Sequence, residues 1–193
     1  MDFKKLSILF LFLSISILGV AQELSEDRYY RIKSKEGLVL STKNNDQNDA
    51  LIWLDKENKE SKDQLWQITA IGNGLYNIRN SYSKKSLDNR GILNGSGNQI
   101  IQWDTEPFNN NQQWKIQQTG TGAYIITHKK SQMALDFQQN ENGSFGVYQK
   151  PNSAQTWEII PTEIAAEVSN KKKRGENEWE NETIFAINKE EGH

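Results

Sequence analysis

Apolar and polar residues alternate with a period of two in short runs along this chain, and the same runs return three times. One set reads Trp66-Gln67-Ile68, Trp114-Lys115-Ile116 and Trp157-Glu158-Ile159. That period marks a strand with one buried face, so each Trp is expected in the core. A Gln stands two residues before each, in Gln64-Leu65-Trp66, Gln112-Gln113-Trp114 and Gln155-Thr156-Trp157. It shares the face of its Trp, where its amide must bond a loop or a neighbouring side chain, because an unpaired buried amide is costly. The tryptophans are 48 and 43 residues apart, a near-fixed interval of the kind that marks a repeat architecture.

The repeat extends upstream of the motif. Its first strand reads Tyr29-Tyr30-Arg31-Ile32-Lys33, Leu75-Tyr76-Asn77-Ile78-Arg79 and Ala123-Tyr124-Ile125-Ile126-Thr127, with Tyr30, Tyr76 and Tyr124 at intervals of 46 and 48. Next come Leu38-Val39-Leu40-Ser41, Ser86-Leu87-Asp88 and Ala134-Leu135-Asp136, and then Leu51-Ile52-Trp53, Ile100-Ile101-Gln102-Trp103 and Gly146-Val147-Tyr148. Four short strands per unit make about twelve strands, joined by Gly, Asn and Ser turns, in an all-β domain.

This pattern resembles the ricin-B type lectin domain over roughly residues 29–161. The resemblance implies a β-trefoil of three four-stranded repeats and the binding of carbohydrate. Sites of that family combine an Asp early in the repeat, an aromatic plate midway, and Asn-Gln opening the Gln-x-Trp motif. The second repeat matches best, with Asp88, Trp103, Asn111 and Gln112. Asp88 is expected to accept hydrogen bonds from adjacent sugar hydroxyls, and Trp103 to offer its face to the apolar side of a pyranose. Asn111 would touch the rim, and Gln112 would hold Asp88 or touch the sugar. Ile101 stands where the family often has Gln, and Gln102 is expected to face the other way. The third repeat has Asp136, Tyr148 and Gln155 with Ala154 in place of the Asn, a weaker site. The first has Ser41 in place of the Asp, although Trp53, Asp63 and Gln64 remain; it is expected to be weak or inactive. The implied partners are glycans containing galactose, N-acetylgalactosamine or xylose.

Two features at the start of the chain change the picture from a domain to an exported one. Lys4 and Lys5 precede an apolar run from Leu6 to Val20, followed by Gly19-Val20-Ala21. That reads as a signal peptide, residues 1–21, cleaved after Ala21, and it places the protein in a periplasm or outside the cell. The run is short of the roughly 20 residues a membrane span needs, so stable insertion is not expected.

Composition narrows the chemistry. Removing Lys4, Lys5 and Asp2 with the leader moves the net charge from −2 to −3, which offers no electrostatic footprint for nucleic acid. The absence of Cys excludes disulfides, thiolate metal sites and a Cys nucleophile, so stability must come from the packed β core. His128 and His193 have no partner motif for a metal, and His128 is expected on a strand surface. No catalytic residue, metal or cofactor is expected, and the domain should be monomeric. The sequons Asn94-Gly95-Ser96, Asn142-Gly143-Ser144 and Asn181-Glu182-Thr183 matter only in a eukaryotic secretory pathway.

The alternation is expected to stop at Pro161, leaving a trefoil over residues 22–163. A linker over 164–176 then carries Lys171-Lys172-Lys173-Arg174. The last stretch, 177–193, has Trp179-Glu180-Asn181, Ile184-Phe185, Ile187-Asn188-Lys189 and His193. It resembles the opening of family-2 glycoside hydrolases of the β-galactosidase type, with Glu182 in place of the usual Pro. The resemblance implies that the chain is the N-terminal fragment of such an enzyme, whose two catalytic carboxylates would lie downstream. A protein-interaction or inhibitor trefoil is the remaining alternative.

Overall fold

The computed structural model describes residues 24–90, 97–106, 108–120 and 122–166. The leader, Asn94, Asn181, the basic run and the Trp179–His193 stretch lie outside the described residues. The first repeat contains β1 (Arg28–Ser34), β2 (Leu38–Ser41), β3 (Trp53–Lys56), the 3-10 turn η1 (Lys62–Gln64) and β4 (Trp66–Gly72). The second contains β5 (Leu75–Asn80), β6 (Ser86–Asn89), β7 (Ile100–Trp103), η2 (Asn110–Gln112) and β8 (Trp114–Gly120). The third contains β9 (Ala123–His128), β10 (Ala134–Gln139), β11 (Phe145–Lys150) and β12 (Trp157–Ala165). These are the twelve strands that the periodicity predicts.

Six strands close a barrel. β1 pairs β4, β4 pairs β5, β5 pairs β8, β8 pairs β9, β9 pairs β12, and β12 returns to β1. The other six form three hairpins, β2–β3, β6–β7 and β10–β11. The hairpins touch one another through β11–β3 and through the bridges Leu51–Ile101 and Gln99–Tyr148, which ties the three lobes together at one end. This is a β-trefoil. Tight turns make the barrel crossings possible: Asn73 and Gly74 both have positive φ between β4 and β5, the Asn-Gly preference of a two-residue hairpin.

The threefold symmetry is carried by the three indoles. Trp66, Trp114 and Trp157 are fully buried and lie opposite Tyr30, Tyr76 and Tyr124 in turn. Each indole N–H donates to the carbonyl of an equivalent leucine: Trp66 to Leu40 at 3.0 Å, Trp114 to Leu87 at 2.9 Å, Trp157 to Leu135 at 3.1 Å. That bond fixes each hairpin to the barrel and satisfies a polar atom that burial would otherwise leave orphaned. Around them Ile32, Leu40, Ile52, Ile68, Ile78, Ile100, Ile126 and Val147 complete one continuous core.

Two expectations need correction. His128 is not on the surface; it is fully buried, with its ring 5.1 Å from that of Trp114 at an interplanar angle of 61°. The reason is parity: β9 buries every second residue, and His128 shares the face of Tyr124 and Ile126. The last strand also runs on past Pro161. Ala165 pairs with Arg28, and Ala166 packs with Tyr29 and Leu65 while its N–H donates to Asp27 O at 2.8 Å.

Candidate carbohydrate site in the second lobe

The β6–β7 hairpin sets the geometry of the second lobe. Its register puts Asp88 opposite Ile101 and Ser86 opposite Trp103. Side chains two apart share a face, so Asp88 and Trp103 project from the same side, while Leu87 and Gln102 point the other way. Leu87 enters the core, and Gln102 is fully buried, donating to Asn45 O at 2.7 Å and Gln47 O at 3.1 Å. Trp103 stays 37% exposed at the end of its strand.

The 3-10 turn η2 holds the carboxylate. The Asn109 side chain accepts from Asn111 N at 2.9 Å and so caps the turn. Gln112 is fully buried and spends its amide on three partners: it donates to Asp88 Oδ2 at 3.0 Å and Asp104 O at 2.8 Å, and accepts from Glu106 N at 3.1 Å. Of its two expected roles, Gln112 therefore takes the first and holds Asp88. Asp88 Oδ1 and the Asn111 side-chain amide have no hydrogen-bond partner among the described residues. Burial pushes the Asp88 carboxyl above the ordinary carboxylate range; the Gln112 amide opposes this, and Glu106 and Asp49 add to it. The result is one fixed acceptor beside one exposed indole.

Sequence reasoning missed two features of this lobe. Asp104 N donates to Asn48 Oδ1 at 3.0 Å and its carboxylate accepts from Asn48 Nδ2 at 2.8 Å, so a loop of the first lobe braces the segment after Trp103. Phe108, on the loop leading into η2, is 90% exposed. It stands where the other repeats have Glu60 and Pro151, and that lone apolar residue in a polar turn was the available signal.

The first lobe is closed in two ways. The hydroxyl of Ser41 donates to Asp63 Oδ2 at 2.5 Å and that of Ser61 to Asp63 Oδ1, so both oxygens of this buried carboxylate are used. Lys43 Nζ sits 4.7 Å from the centre of the Trp53 ring and covers its face. Gln64 bonds its own loop, to Lys56 O at 2.9 Å and from Asn58 N at 2.7 Å.

In the third lobe the aromatic occupies a different register. Tyr148 lies directly opposite Asp136, the place Ile101 takes in the second lobe, and Lys150 opposite Ala134 takes the place of Trp103. The match of Tyr148 with Trp103 by apolar runs is thus displaced by two residues. Tyr148 folds back over Gly146, where a Cβ would stand 2.8 Å from its ring, and its hydroxyl donates to Asn140 Oδ1 at 3.1 Å. Lys150 pairs with Asp136 at 3.7 Å, and the Ser153 hydroxyl donates to the same carboxylate oxygen at 2.8 Å. Gln155 does not reach Asp136; its amide donates to Thr156 O at 2.6 Å.

Among the described residues no group of three or more His, Cys, Asp or Glu could hold a metal, and no helix is long and apolar enough to cross a membrane. A trefoil with one open lobe of this composition defines a lectin-type module, and comparison with known proteins agrees. The chain belongs to the family of the ricin-type beta-trefoil lectin domain, matched over residues 28–157. No curated protein sequence matches it. Among solved structures it is similar to a designed threefold symmetric protein, ThreeFoil, at 23% identity and a TM-score of 0.63, covering 68% of this chain and 97% of that one. It is also similar to an exo-beta-1,3-galactanase from Clostridium thermocellum at 24% identity and a TM-score of 0.64, covering 74% of this chain and 32% of that one. A Polyporus squamosus lectin, solved with the epitope Neu5Aca2-6Galb1-4GlcNAc, has 19% identity and a TM-score of 0.58, with 71% and 50% covered. The matched region thus spans about a third of the galactanase and half of that lectin; at these identities the likeness is one of fold.

Proposed function

We propose that this chain is an exported, non-catalytic glycan-binding module whose working site is the second lobe. Its targets are galactose- or xylan-type glycans, including N-acetylgalactosamine. The observation that carries this reading is Asp88 Oδ1, a carboxylate oxygen without a partner among the described residues, on a group held by Gln112 on the same face as the exposed Trp103. A carboxylate accepts from two vicinal hydroxyls better than a neutral group does, and the indole covers the apolar C–H face of the same ring. Asn111 supplies an amide at the rim. The third-lobe residues Asp136, Tyr148 and Gln155 take a secondary part at most, because Lys150 and Ser153 engage Asp136. The domain acts as a monomer, and its leader, residues 1–21, supports export.

A single shallow site of this kind binds near the millimolar end, about −4 kcal/mol. A glycan array at high protein concentration tests the proposal: binding to galactose- or xylose-containing glycans that is lost in W103A supports it. A blank array removes it and favours a protein-interaction trefoil. A second reading joins the module to a glycoside hydrolase of the β-galactosidase type. It rests on the Trp179–His193 resemblance, and the trefoil-bearing galactanase is a precedent for such an arrangement. Reading the coding sequence past His193 tests it, a long glycosidase frame supporting it and an in-frame stop in intact DNA opposing it.

A further inference from the structure

We propose that His128 is a positioning residue for the second lobe, and that its protonation, which keeps the Nε2 bond to η2 but breaks the Nδ1 bonds that hold the ring in place, shifts the η2 rim and makes glycan retention acid-sensitive. This rests on the reading of the second lobe as the sugar site. The internal repeat supplies the comparison. The residue paired with the motif Trp on the next barrel strand is Asn80 for Trp66 and His128 for Trp114. Asn80 does two jobs: its Nδ2 donates to Asp63 O at 2.8 Å, holding η1, and its Oδ1 accepts from Tyr82 N at 3.0 Å and Ser83 N at 3.1 Å, holding the turn after β5.

His128 does the same two jobs with a ring. Nε2 lies 3.1 Å from Asn110 O, and a carbonyl only accepts, so Nε2 carries the proton. Nδ1 then accepts from Ser131 N at 3.2 Å and from Asn89 Nδ2 at 3.1 Å. The Ser131 hydroxyl, 3.0 Å from Nδ1, turns its own proton to Gln149 Oε1 at 2.7 Å. Through Asn110 the ring grips the turn that bears Asn111 and Gln112, and Gln112 in turn holds Asp88.

Only the neutral imidazole can play the part of an asparagine. A second proton must go on Nδ1, where the Ser131 hydroxyl oxygen can accept it but where it removes the lone pair that takes the Ser131 N–H and the Asn89 amide. Asn89 could flip to offer Oδ1, which has no partner among the described residues, but a backbone N–H cannot flip. The groups around the ring offer no compensating charge. η2 presents the Asn110 and Asn111 carbonyls, β8 the Trp114 ring, β6 the Asn89 amide and β11 the Gln149 amide. The ring's own turn adds two cations: Lys130, which repels a charged ring, and Lys129, whose Nζ is engaged by Asn110 Oδ1 and Gln113 Oε1. Asp88 lies on the opposite face of β6 from Asn89. Burial accordingly holds the His128 pKa below its ordinary 6.5. The folded state therefore binds fewer protons here than the unfolded chain. The neutral ring's contribution is complete above pH 6.5 and is lost as pH falls through the folded value.

The test is an NMR titration of the isotopically labelled protein from about pH 8 to about pH 3, a range that covers both His and Asp ionisation. In the wild type the Ser131 amide, the Asn89 side chain and the amides of Asn110 to Gln112 should shift together with the His128 ring. In H128N, which copies Asn80, that step should vanish and leave only the one due to Asp88. Affinity for free galactose and xylobiose supplies the second readout. The ratio of wild-type to H128N affinity cancels the Asp88 limb, and it should fall by about fivefold or more between the ends of the titration, the low end of ordinary site–site coupling. H128A, which restores neither bond, should bind more weakly at every pH. Asn111 and Gln112 amides that ignore the His128 titration would overturn the proposal, as would an affinity ratio that does not vary with pH. If neither sugar binds at any pH, the glycan reading fails, and the coupling of His128 to η2 is still decided by the amide shifts of the sugar-free protein.

Discussion

The second and third lobes start from the same plan and end in different chemistry. Each has a buried Trp bonded to a leucine carbonyl, an Asp immediately after that leucine, and a hairpin with an aromatic residue. What separates them is two residues of register. In the second lobe the position opposite Ser86 holds an exposed Trp, so plate and carboxylate share a face. In the third lobe the equivalent position holds Lys150, which pairs with the carboxylate, and the aromatic lies back over Gly146. Sharing a fold, even within one chain, does not mean sharing a site.

The largest expected effect that would sharpen this contrast is on the two motif glutamines. Q112A leaves the buried Asp88 oxygen, Asp104 O and Glu106 N without their shared partner, and should cost about 1–3 kcal/mol of stability as well as glycan retention. Q155A removes one bond to a neighbouring carbonyl and should cost under about 0.5 kcal/mol; denaturant melts of both variants measure the difference. Equal costs would mean the two lobes are held in the same way after all. Next come the aromatics. W103A should weaken retention on a galactose or xylan matrix by about tenfold with little change in melting, in keeping with about 0.5–1.5 kcal/mol for an aromatic contact. Y148A should leave retention within about twofold, since its ring is folded onto the domain rather than presented.

Asp88 offers a prediction of opposite sign for stability and binding. Because folding raises its pKa above 3.8, its contribution to stability is fully present below that pH and lost as pH rises through the folded value. A permanently neutral D88N should therefore be more stable than the wild type near neutrality, by on the order of 1 kcal/mol, while retention is lost. A D88N that melts earlier would mean the carboxylate is better satisfied than its bond from Gln112 implies. The smallest expected effect is a gain: K150W removes the lysine from Asp136, leaving the Ser153 bond, and puts an aromatic where the second lobe has Trp103. On a multivalent matrix it should raise retention by roughly twofold to fivefold, with little change for a free monosaccharide. Isothermal titration beside column retention would separate the two.

Much of this was legible along the chain. The parity of the Trp and Tyr positions specifies the barrel, and the parity of Ile101 and Gln102 specifies which way each points. His128 obeys the same parity: its place two residues after Ile126 points inward, although its side chain is polar. The pairing of Asp136 with Tyr148 was not legible, because apolar runs align to within a residue or two while a face changes with every residue. Nor was the closure of the first lobe. Ser41 signalled a missing carboxylate, but nothing in the order of residues said that Asp63 would swing in to take the serine hydroxyl, or that Lys43 would cover Trp53.

Alone, the order of residues determined the threefold repeat, the three buried indoles and the candidate role of Asp88 and Trp103, because burial by strand parity is a local rule repeated in each unit. Tertiary structure decided which lobe is open. That depends on groups far apart in sequence, Gln112 reaching Asp88 and Lys150 reaching Asp136, and on hairpin register, which only the assembled barrel fixes.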